Sequence, residues 1–280
     1  MNVALTGASG FVGRHVLGEL GRRGVSATLL IRPSAQGPES SKAHRVVHFD
    51  LAAPPENVYE ACGRPDVLIH LAWGGLPNYR SLHHFEGELP RQYRFLERMV
   101  RSGLPSLVVS GTCFEYGMAF GPLNEELEAR PANPYALAKD VLRKQLGYLK
   151  CEQPFSLTWA RLFYMFGDGQ APTSLLPQLR SAVARGQERF AMSGGEQLRD
   201  YSPVTDVARH LVDLAVTGRD HGIVNVCSGQ PTSVRSLVEH WIEEHGWSIE
   251  LDLGRYPYPD HESMAFWGDR KKLDRCLAQR

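Results

Sequence analysis

The chain has 280 residues, 42% of them apolar, and its 31 Lys and Arg balance its 31 Asp and Glu. That length points to one large α/β domain or two lobes sharing a chain, and zero net charge with no basic run argues against a nucleic-acid partner. No stretch approaches the roughly 18 to 20 apolar residues that span a bilayer, so no membrane partner is expected. The start, Met1-Asn2-Val3-Ala4, lacks the charged n-region of a signal peptide and runs straight into an apolar strand candidate. The five cysteines (Cys62, Cys113, Cys151, Cys227 and Cys276) are scattered and form no CxxC pair. They suit a reducing cytosol, and hence a cytoplasmic protein, better than a disulfide framework or a zinc site.

Short apolar runs alternate with amphipathic stretches. Val3 to Leu5, Ala27 to Ile31, Val46 to Phe49, Val67 to Leu71, Leu107 to Val109 and Leu157 to Ala160 read as strands. Continuous apolar runs without in-out alternation suit a parallel sheet covered on both faces. Between the first two, Val12, Val16 and Leu20 recur at helical spacing. Pro33 to Lys42 reads as a solvated loop, and Phe85 to Arg101 and Tyr135 to Leu149 as helices. This alternation predicts a doubly wound α/β sheet. Beyond residue 160 the rhythm loosens. Ser174 to Arg185 and Asp206 to Ala215 read as helices and Ile223 to Val226 as a strand. Thr232-Ser233 offers an N-cap to a helix carrying Leu237, Val238, Trp241 and Ile242. Arg255 to Asp260 is too proline-rich for regular structure.

Three features carry chemistry. Thr6-Gly7-Ala8-Ser9-Gly10-Phe11-Val12-Gly13 follows a strand and opens a helix. Glycines let backbone approach a pyrophosphate, and the helix N-terminus supplies free N–H groups and a positive dipole. The plain alternative is a steric strand–helix turn. Arg32 lies 19 positions beyond Gly13, with Ser34 after it and no acid beside it. A carboxylate there would hold a ribose 2′-hydroxyl, whereas a guanidinium attracts a 2′-phosphate. NADP(H) is therefore favoured and NAD(H) remains open, as does a merely solvated Arg32. Tyr135 and Lys139 lie four apart on one helix face. A neighbouring cation lowers the pKa of a phenol and makes it a usable acid/base. Thr112, leaving the preceding strand, brings a hydroxyl for the same carbonyl oxygen.

Taken with Asp50-Leu51, His70-Leu71-Ala72, Ser110-Gly-Thr112-Cys-Phe-Glu-Tyr-Gly117, Arg161-Leu-Phe-Tyr-Met-Phe-Gly167, Gln197-Leu-Arg-Asp-Tyr201 and Asn225-Val-Cys-Ser-Gly229, these motifs run nearly the whole chain. Their order resembles the extended short-chain dehydrogenase/reductase family, and more narrowly its nucleotide-sugar epimerases, dehydratases and reductases. The resemblance implies a Rossmann-type dinucleotide-binding domain over 1–162, with 201–228 returning to it. It implies a smaller substrate-binding lobe from 163–200 and 229–280. It makes Tyr135 the acid/base, Lys139 the residue that lowers the tyrosine pKa and holds the nicotinamide ribose, and Thr112 the partner of the reacting oxygen. Gly7, Ser9, Gly10, Phe11, Val12, Gly13, Arg32 and Ser34 would hold the dinucleotide. Asp50 and Leu51 would line the adenine, and Leu71, Ala72 and Trp73 would pass along the cofactor. Thr112, Cys113, Arg161, Tyr164 and Arg199 would meet a nucleotide-diphosphate sugar, Arg199 at its diphosphate, although Arg199-Asp200 could instead be a structural ion pair. Packing of the Phe85 to Arg101 and Tyr135 to Leu149 helices across a twofold would give a homodimer.

Departures narrow the chemistry. Where the 4,6-dehydratases place acids after the hydroxyl residue, this chain has Cys113 and Phe114. Phenylalanine moves no proton, and a thiol with no identified base is a poor substitute. Glu115 comes one position later, and in an extended segment it would face the other side. Cys113 reads as a buried filler. Tyr164 stands where many relatives have Asn. Tyr256, Tyr258, Phe266 and Trp267 could form an aromatic wall or simply core. The eleven histidines include no HExxH motif, so no metal is expected. The reading that follows is an NADP(H)-dependent 4-keto reductase of a nucleotide-linked 4-keto-6-deoxyhexose. A C4 epimerase with retained NAD is the alternative. A non-catalytic NADP(H)-sensing module and a reductase of non-sugar ketones rank below.

Overall fold

The computed structural model describes residues 1–34, 44–258 and 262–278. In chain order its elements are β1 (Val3–Thr6), α1 (Phe11–Arg22), β2 (Ala27–Ile31), β3 (Arg45–His48), α2 (Val58–Ala61), β4 (Val67–His70), α3 (Leu89–Arg101), β5 (Ser106–Thr112), β6 (Gly121–Leu123), α4 (Pro134–Glu152), β7 (Ser156–Leu162) and β8 (Tyr164–Phe166). They continue with α5 (Leu175–Ala184), β9 (Arg189–Ala191), β10 (Leu198–Pro203), α6 (Val204–Val216), β11 (Gly222–Val226), β12 (Pro231–Ser233), α7 (Val234–His245), β13 (Glu250–Asp252), β14 (Phe266–Gly268) and α8 (Lys271–Ala278).

Seven strands form one sheet in the order β11-β7-β5-β4-β1-β2-β3, every pair parallel. Successive side chains of a strand point to opposite faces, so β1 sends Val3 and Leu5 into one core and Ala4 into the other. The first core is closed by Val16, Leu17 and Leu20 of α1 and by Val207, Leu211 and Leu214 of α6. The second is closed by Phe95, Leu96 and Met99 of α3 and by Leu142, Leu146 and Leu149 of α4. Helices on both faces explain why these strands read as unbroken apolar runs. This is the doubly wound α/β sheet expected from the sequence. Strand order reverses at β1, which lies between β2 and β4, and such reversals open a crevice beyond the carboxyl ends of the strands.

The remaining strands are short: β12-β10-β8, β13-β9 and β14-β6 form three small sheets. A third core joins α5, α7, β9 and β13 through Leu179, Phe190, Val238, Trp241 and, packed against them, Leu251. As the sequence suggests, Ser233 caps α7, its hydroxyl accepting from Ser236 N at 3.0 Å. Three features differ from the sequence reading. The Phe85–Arg101 helix begins as a π-helical turn over His84–Glu88 before α3. The chain after β5 is not extended: Cys113–Tyr116 is a single 3-10 turn in which Thr112 and Glu115 cap each other. Helix α8 was not anticipated at all. The solvated loop expected from Pro33 to Lys42 lies outside the described residues from position 35 onward, and so do positions 259 and 260 of the proline-rich stretch. Among the described residues no helix is long and apolar enough to cross a membrane.

Candidate active site

The crevice starts at the β1–α1 turn. Gly7 has φ +74°, and a Cβ on it would come within 2.9 Å of the Leu71 and Ala72 backbone. A Cβ on Gly13 would lie 1.9 Å from the Gly7 carbonyl oxygen, so α1 packs directly on the turn. Gly10 N–H donates to Gly7 O at 2.9 Å. Gly10 caps α1 with no side-chain hydrogen bond, and the first turn holds no acid. The helix thus presents unsatisfied N–H groups and an uncompensated positive end, the chemistry that suits a pyrophosphate. Ser9 and Gly10 are exposed there, and Phe11 and Val12 are half-buried. The turn meets both readings made from the sequence: its glycines are sterically required, and it fits a dinucleotide.

Thr6 joins the two strands beside the crevice. Its hydroxyl oxygen accepts from Leu71 N at 3.1 Å and Ala72 N at 3.3 Å, and it lies 2.9 Å from His70 Nδ1. Burial pushes the His70 pKa down to about 3, so the ring is neutral and Nδ1 can accept the threonine proton. Leu71 and Ala72 are thereby fixed along the crevice. Arg32 and Ser34, just past β2, are exposed. Beyond β3, Asp50 is exposed and accepts from Ala52 N at 2.9 Å, while Leu51 packs on the second core.

Thr112 ends β5, and α4 brings Tyr135 and Lys139 to it. Asn133 starts that helix by accepting from Ala136 N at 2.9 Å, with Pro134 in the first position. The Tyr135 and Thr112 side chains lie close enough for the threonine hydroxyl to favour the phenolate. All three residues are buried, Lys139 to 1% exposure. Lys139 Nζ donates to Ser110 O at 2.8 Å and sits 4.1 Å from the centre of the Trp73 ring. The expectation that Lys139 lowers the Tyr135 pKa is corrected here. Burial raises the phenol well above its ordinary value, and burial brings Lys139 down to about 7 against the pull of Glu115 and Glu88. Desolvation dominates at both groups. A phenol held neutral beside a second hydroxyl is equipped to give a proton to an oxygen placed between them.

Beside this pair lies a cavity of about 250 Å³, lined by residues that include Pro77, Tyr79, Phe114, Asn133 and Glu262. The Tyr79 ring is 5.4 Å from Tyr135 and 5.3 Å from Phe114. Neither Tyr79 nor Glu262 was singled out from the sequence. The turn-forming Gly74-Gly75-Leu76-Pro77-Asn78 after β4 was the available signal, since structured loops at strand ends carry function.

The remaining expected substrate residues divide between the core and the rim of this cavity. Arg161 is 1% exposed, its Nε 2.7 Å from Glu115 and its guanidinium 4.3 Å from the Tyr116 ring centre. The structure does not bring it to the cavity. Arg199 Nη2 pairs with Glu262 at 3.0 Å, and Tyr164 Oη donates to the same carboxylate at 3.1 Å. The suggested Arg199-Asp200 pair is not formed. Asp200 accepts instead from Ser228 N and Oγ at 2.7 Å, from Gly229 N at 2.9 Å and from Gly268 N at 3.2 Å. Cys113 is buried, and desolvation raises its thiol pKa far above the ordinary value, which disfavours the reactive thiolate and fits the filler reading. The four aromatics do not form one wall: Phe266 is core beside Tyr164, Tyr258 Oη accepts from Glu196 N, and Tyr256 is exposed. Among the described residues no group of three or more His, Cys, Asp or Glu could hold a metal.

Known proteins fit this geometry. The NAD dependent epimerase/dehydratase family matches residues 3–227. The dTDP-6-deoxy-L-talose 4-dehydrogenase (NAD(+)) of Aggregatibacter actinomycetemcomitans is 30% identical over 270 residues, 96% of this chain and 99% of that protein. The dTDP-6-deoxy-L-talose 4-dehydrogenase (NAD(P)(+)) of Kitasatospora kifunensis is 28% identical over 269 residues, 92% of this chain and 83% of that one. Among solved structures, MoeE5 in complex with UDP-glucuronic acid and NAD superposes with a TM-score of 0.83 at 27% identity, covering 99% of this chain and 93% of that one. With its seven-stranded Rossmann-type sheet and glycine turn, the chain belongs to the NAD-dependent epimerase/dehydratase family, within the nucleotide-sugar group of the extended short-chain dehydrogenases/reductases.

Proposed function

We propose that this chain is an NAD(P)(H)-dependent 4-dehydrogenase of a nucleotide-linked 4-keto-6-deoxyhexose, working toward reduction of the C4 carbonyl and preferring NADP(H). The observation that carries the reading is the buried group of Thr112, Tyr135 and Lys139, with Lys139 Nζ held 2.8 Å from Ser110 O, beside the cavity of about 250 Å³; burial also favours the protonated phenol. A neutral phenol suits proton donation to a carbonyl oxygen as it becomes a hydroxyl, and Thr112 orients that oxygen. The glycine turn and the open end of α1 fit a dinucleotide, and Arg32 suits its 2′-phosphate. When bound, the nicotinamide supplies the hydride. Lys139, held by Ser110 O, fixes the floor of the site and offers its remaining N–H groups to the cofactor ribose. Support for the sugar comes from the 30% identical relative, a 6-deoxytalose 4-dehydrogenase over its full length.

The test is to incubate the protein and NADPH with a panel of nucleotide-linked 4-keto-6-deoxyhexoses and to follow products by NMR. The expected result is one NADPH consumed per C4 hydroxyl formed. Interconversion of nucleotide-hexose C4 epimers by protein purified with NAD, with no added coenzyme, would replace this reading with an epimerase.

A further inference from the structure

Lys139 is held from below by a carbonyl and from above by an indole, and the indole is itself held. Trp73 follows β4, and its Nε1–H donates to His84 Nδ1 at 3.1 Å. His84 is fully buried, and its Nε2 lies 2.8 Å from Asn78 O. A carbonyl oxygen only accepts, so Nε2 carries the proton and Nδ1 keeps the lone pair that the indole needs. The two contacts therefore fix one neutral tautomer. The His84 ring also packs edge-on to Tyr135 at 5.3 Å, and Trp73 does so at 5.9 Å.

The π-helical turn His84–Glu88 explains the placement. Residues four apart share a helix face, and both its ends face the loop after β4. Glu88, 1% exposed, accepts from Gly74 N at 3.0 Å, from Gln92 Nε2 and Arg91 Nη1 at 2.8 Å each, and meets His83 Nε2 at 3.3 Å. A Cβ on Gly74 would stand 2.7 Å from Glu88 Oε1. One end of the turn thus grips the Trp73 side chain and the other grips the next peptide. Such turns cost helix hydrogen bonding and recur at functional sites.

From this arrangement we infer that His84, acting through Trp73, is a positioning residue for Lys139 and Tyr135. The indole face stabilises the ammonium, a cation–π contact that strengthens when desolvated, and it closes the lysine from water. The titratable groups that face the ammonium are Glu115 and Glu88, which favour its charge, and Tyr135 and His70. The indole adds a non-titratable π face to that set, and His84 orients it. The catalytic meaning of the device rests on the proposed function; the contact with Lys139 does not.

The test separates the two. Only six lysines are present, so ¹³Cε-lysine NMR can follow the Lys139 titration directly, with Lys139→Met identifying its signal. Trp73→Leu keeps the site apolar and removes the π face; it should lower the Lys139 midpoint by about 0.5 pH unit or more. His84→Leu should shift it the same way. His84→Gln, which retains an acceptor and a donor, should stay near wild type, and Trp73→Phe, which retains a π face but loses the bond to His84, should fall between wild type and Trp73→Leu. Keto-sugar reduction adds a second readout. His84→Leu should lower kcat at least about 10-fold with KM for NADPH within about 2-fold, and His84→Gln should recover most of it. Midpoints unmoved by Trp73→Leu and His84→Leu in folded protein would overturn the inference, as would equal effects of His84→Leu and His84→Gln. If wild type reduces no keto-sugar, the proposed function falls and the lysine titration alone decides this one.

Discussion

Glu115 holds the Arg161 guanidinium at 2.7 Å with both side chains shut off from solvent. The same carboxylate accepts from Trp159 Nε1 at 2.9 Å and from Thr112 N at 2.9 Å. It therefore links the arginine on β7, the tryptophan beside it and the residue that meets Tyr135. Removing one member of a buried pair leaves an uncompensated charge and typically costs about 3–5 kcal/mol. Glu115→Ala should lose stability of that order in urea unfolding, and Glu115→Gln less, because it keeps hydrogen-bonding atoms. A loss below ~1 kcal/mol for Glu115→Ala would mean that water reaches the arginine and that the pair does not support the site.

Tyr135→Phe keeps the ring, its contacts with Trp73 and Tyr79, and the helix start, while removing the proton donor. Turnover should fall at least ~100-fold, the usual contribution of general acid catalysis, and NADPH affinity should change little. Retention of more than about a tenth of wild-type kcat would remove Tyr135 from the acid role.

How far this site could be read without coordinates depends on the range of each interaction. Tyr135 and Lys139 are four residues apart in one helix, and the glycine turn joins adjacent elements, so both are legible from local spacing. The central strands are legible because burial on both faces leaves continuous apolar runs in place of in-out alternation. Arg199 shows the opposite case: its carboxylate partner is Glu262, 63 positions on, and not the neighbouring Asp200. No local pattern distinguishes the two. Glu115 does not line the cavity, as expected, but for a reason spacing does not reveal: the chain after Thr112 turns as a 3-10 helix instead of running extended, closed by the reciprocal cap between Thr112 and Glu115 themselves. The direction of the tyrosine pKa was misjudged for a related reason. Spacing reveals a neighbouring cation but not the depth at which both groups are buried.

Acid sensitivity should come from histidines kept neutral by burial. His70 and His210 have pKa values lowered to about 3 and about 4. Unfolded, each titrates near 6.5, so between roughly pH 6.5 and pH 4 the unfolded chain binds the extra protons. Stability must then fall as pH falls through that window, by up to about 1.4 kcal/mol per pH unit for each group. Urea unfolding at pH 7.0, 6.0 and 5.0 reads the slope. His210→Gln should reduce it; an unchanged slope would show that water or a local opening lets His210 protonate in the folded protein.

Burial also sorts the thiols. Cys62, Cys113, Cys227 and Cys276 are buried and Cys151 is exposed, with the Cys62 thiol pushed up to about 12. Since the thiolate is the reactive form, iodoacetamide on native protein should modify Cys151 first, as read by peptide mass spectrometry. Cys113→Ser should leave kcat within a few-fold. A loss of about three orders of magnitude in folded Cys113→Ser would exceed mild repacking and would bring the thiol into the chemistry.

Coenzyme choice should rest on Arg32, which is exposed just beyond β2, on the lip of the crevice at the strand-order reversal. The two relatives described above are named for NAD(+) and for NAD(P)(+), so the preference depends on this chain's own lip. A guanidinium there offers a charge-assisted hydrogen bond to a 2′-phosphate, worth about 1.5–3 kcal/mol. Solvent at the lip screens part of that, which places the net effect at the lower end. Arg32→Asp removes the donor and supplies a carboxylate that repels the phosphate but accepts from a free 2′-hydroxyl. KM for NADPH should rise at least ~10-fold, equivalent to about 1.4 kcal/mol, while KM for NADH stays level or falls. Because the contact is remote from the Tyr135 hydroxyl, kcat at saturating coenzyme should hold nearly constant. Equal use of NADH and NADPH by the wild type, or no switch in the variant, would reduce Arg32 to a solvated side chain. The choice of an exchangeable, phosphorylated coenzyme, and with it part of the case for a reductase over an epimerase, would then have to rest on the sugar products alone.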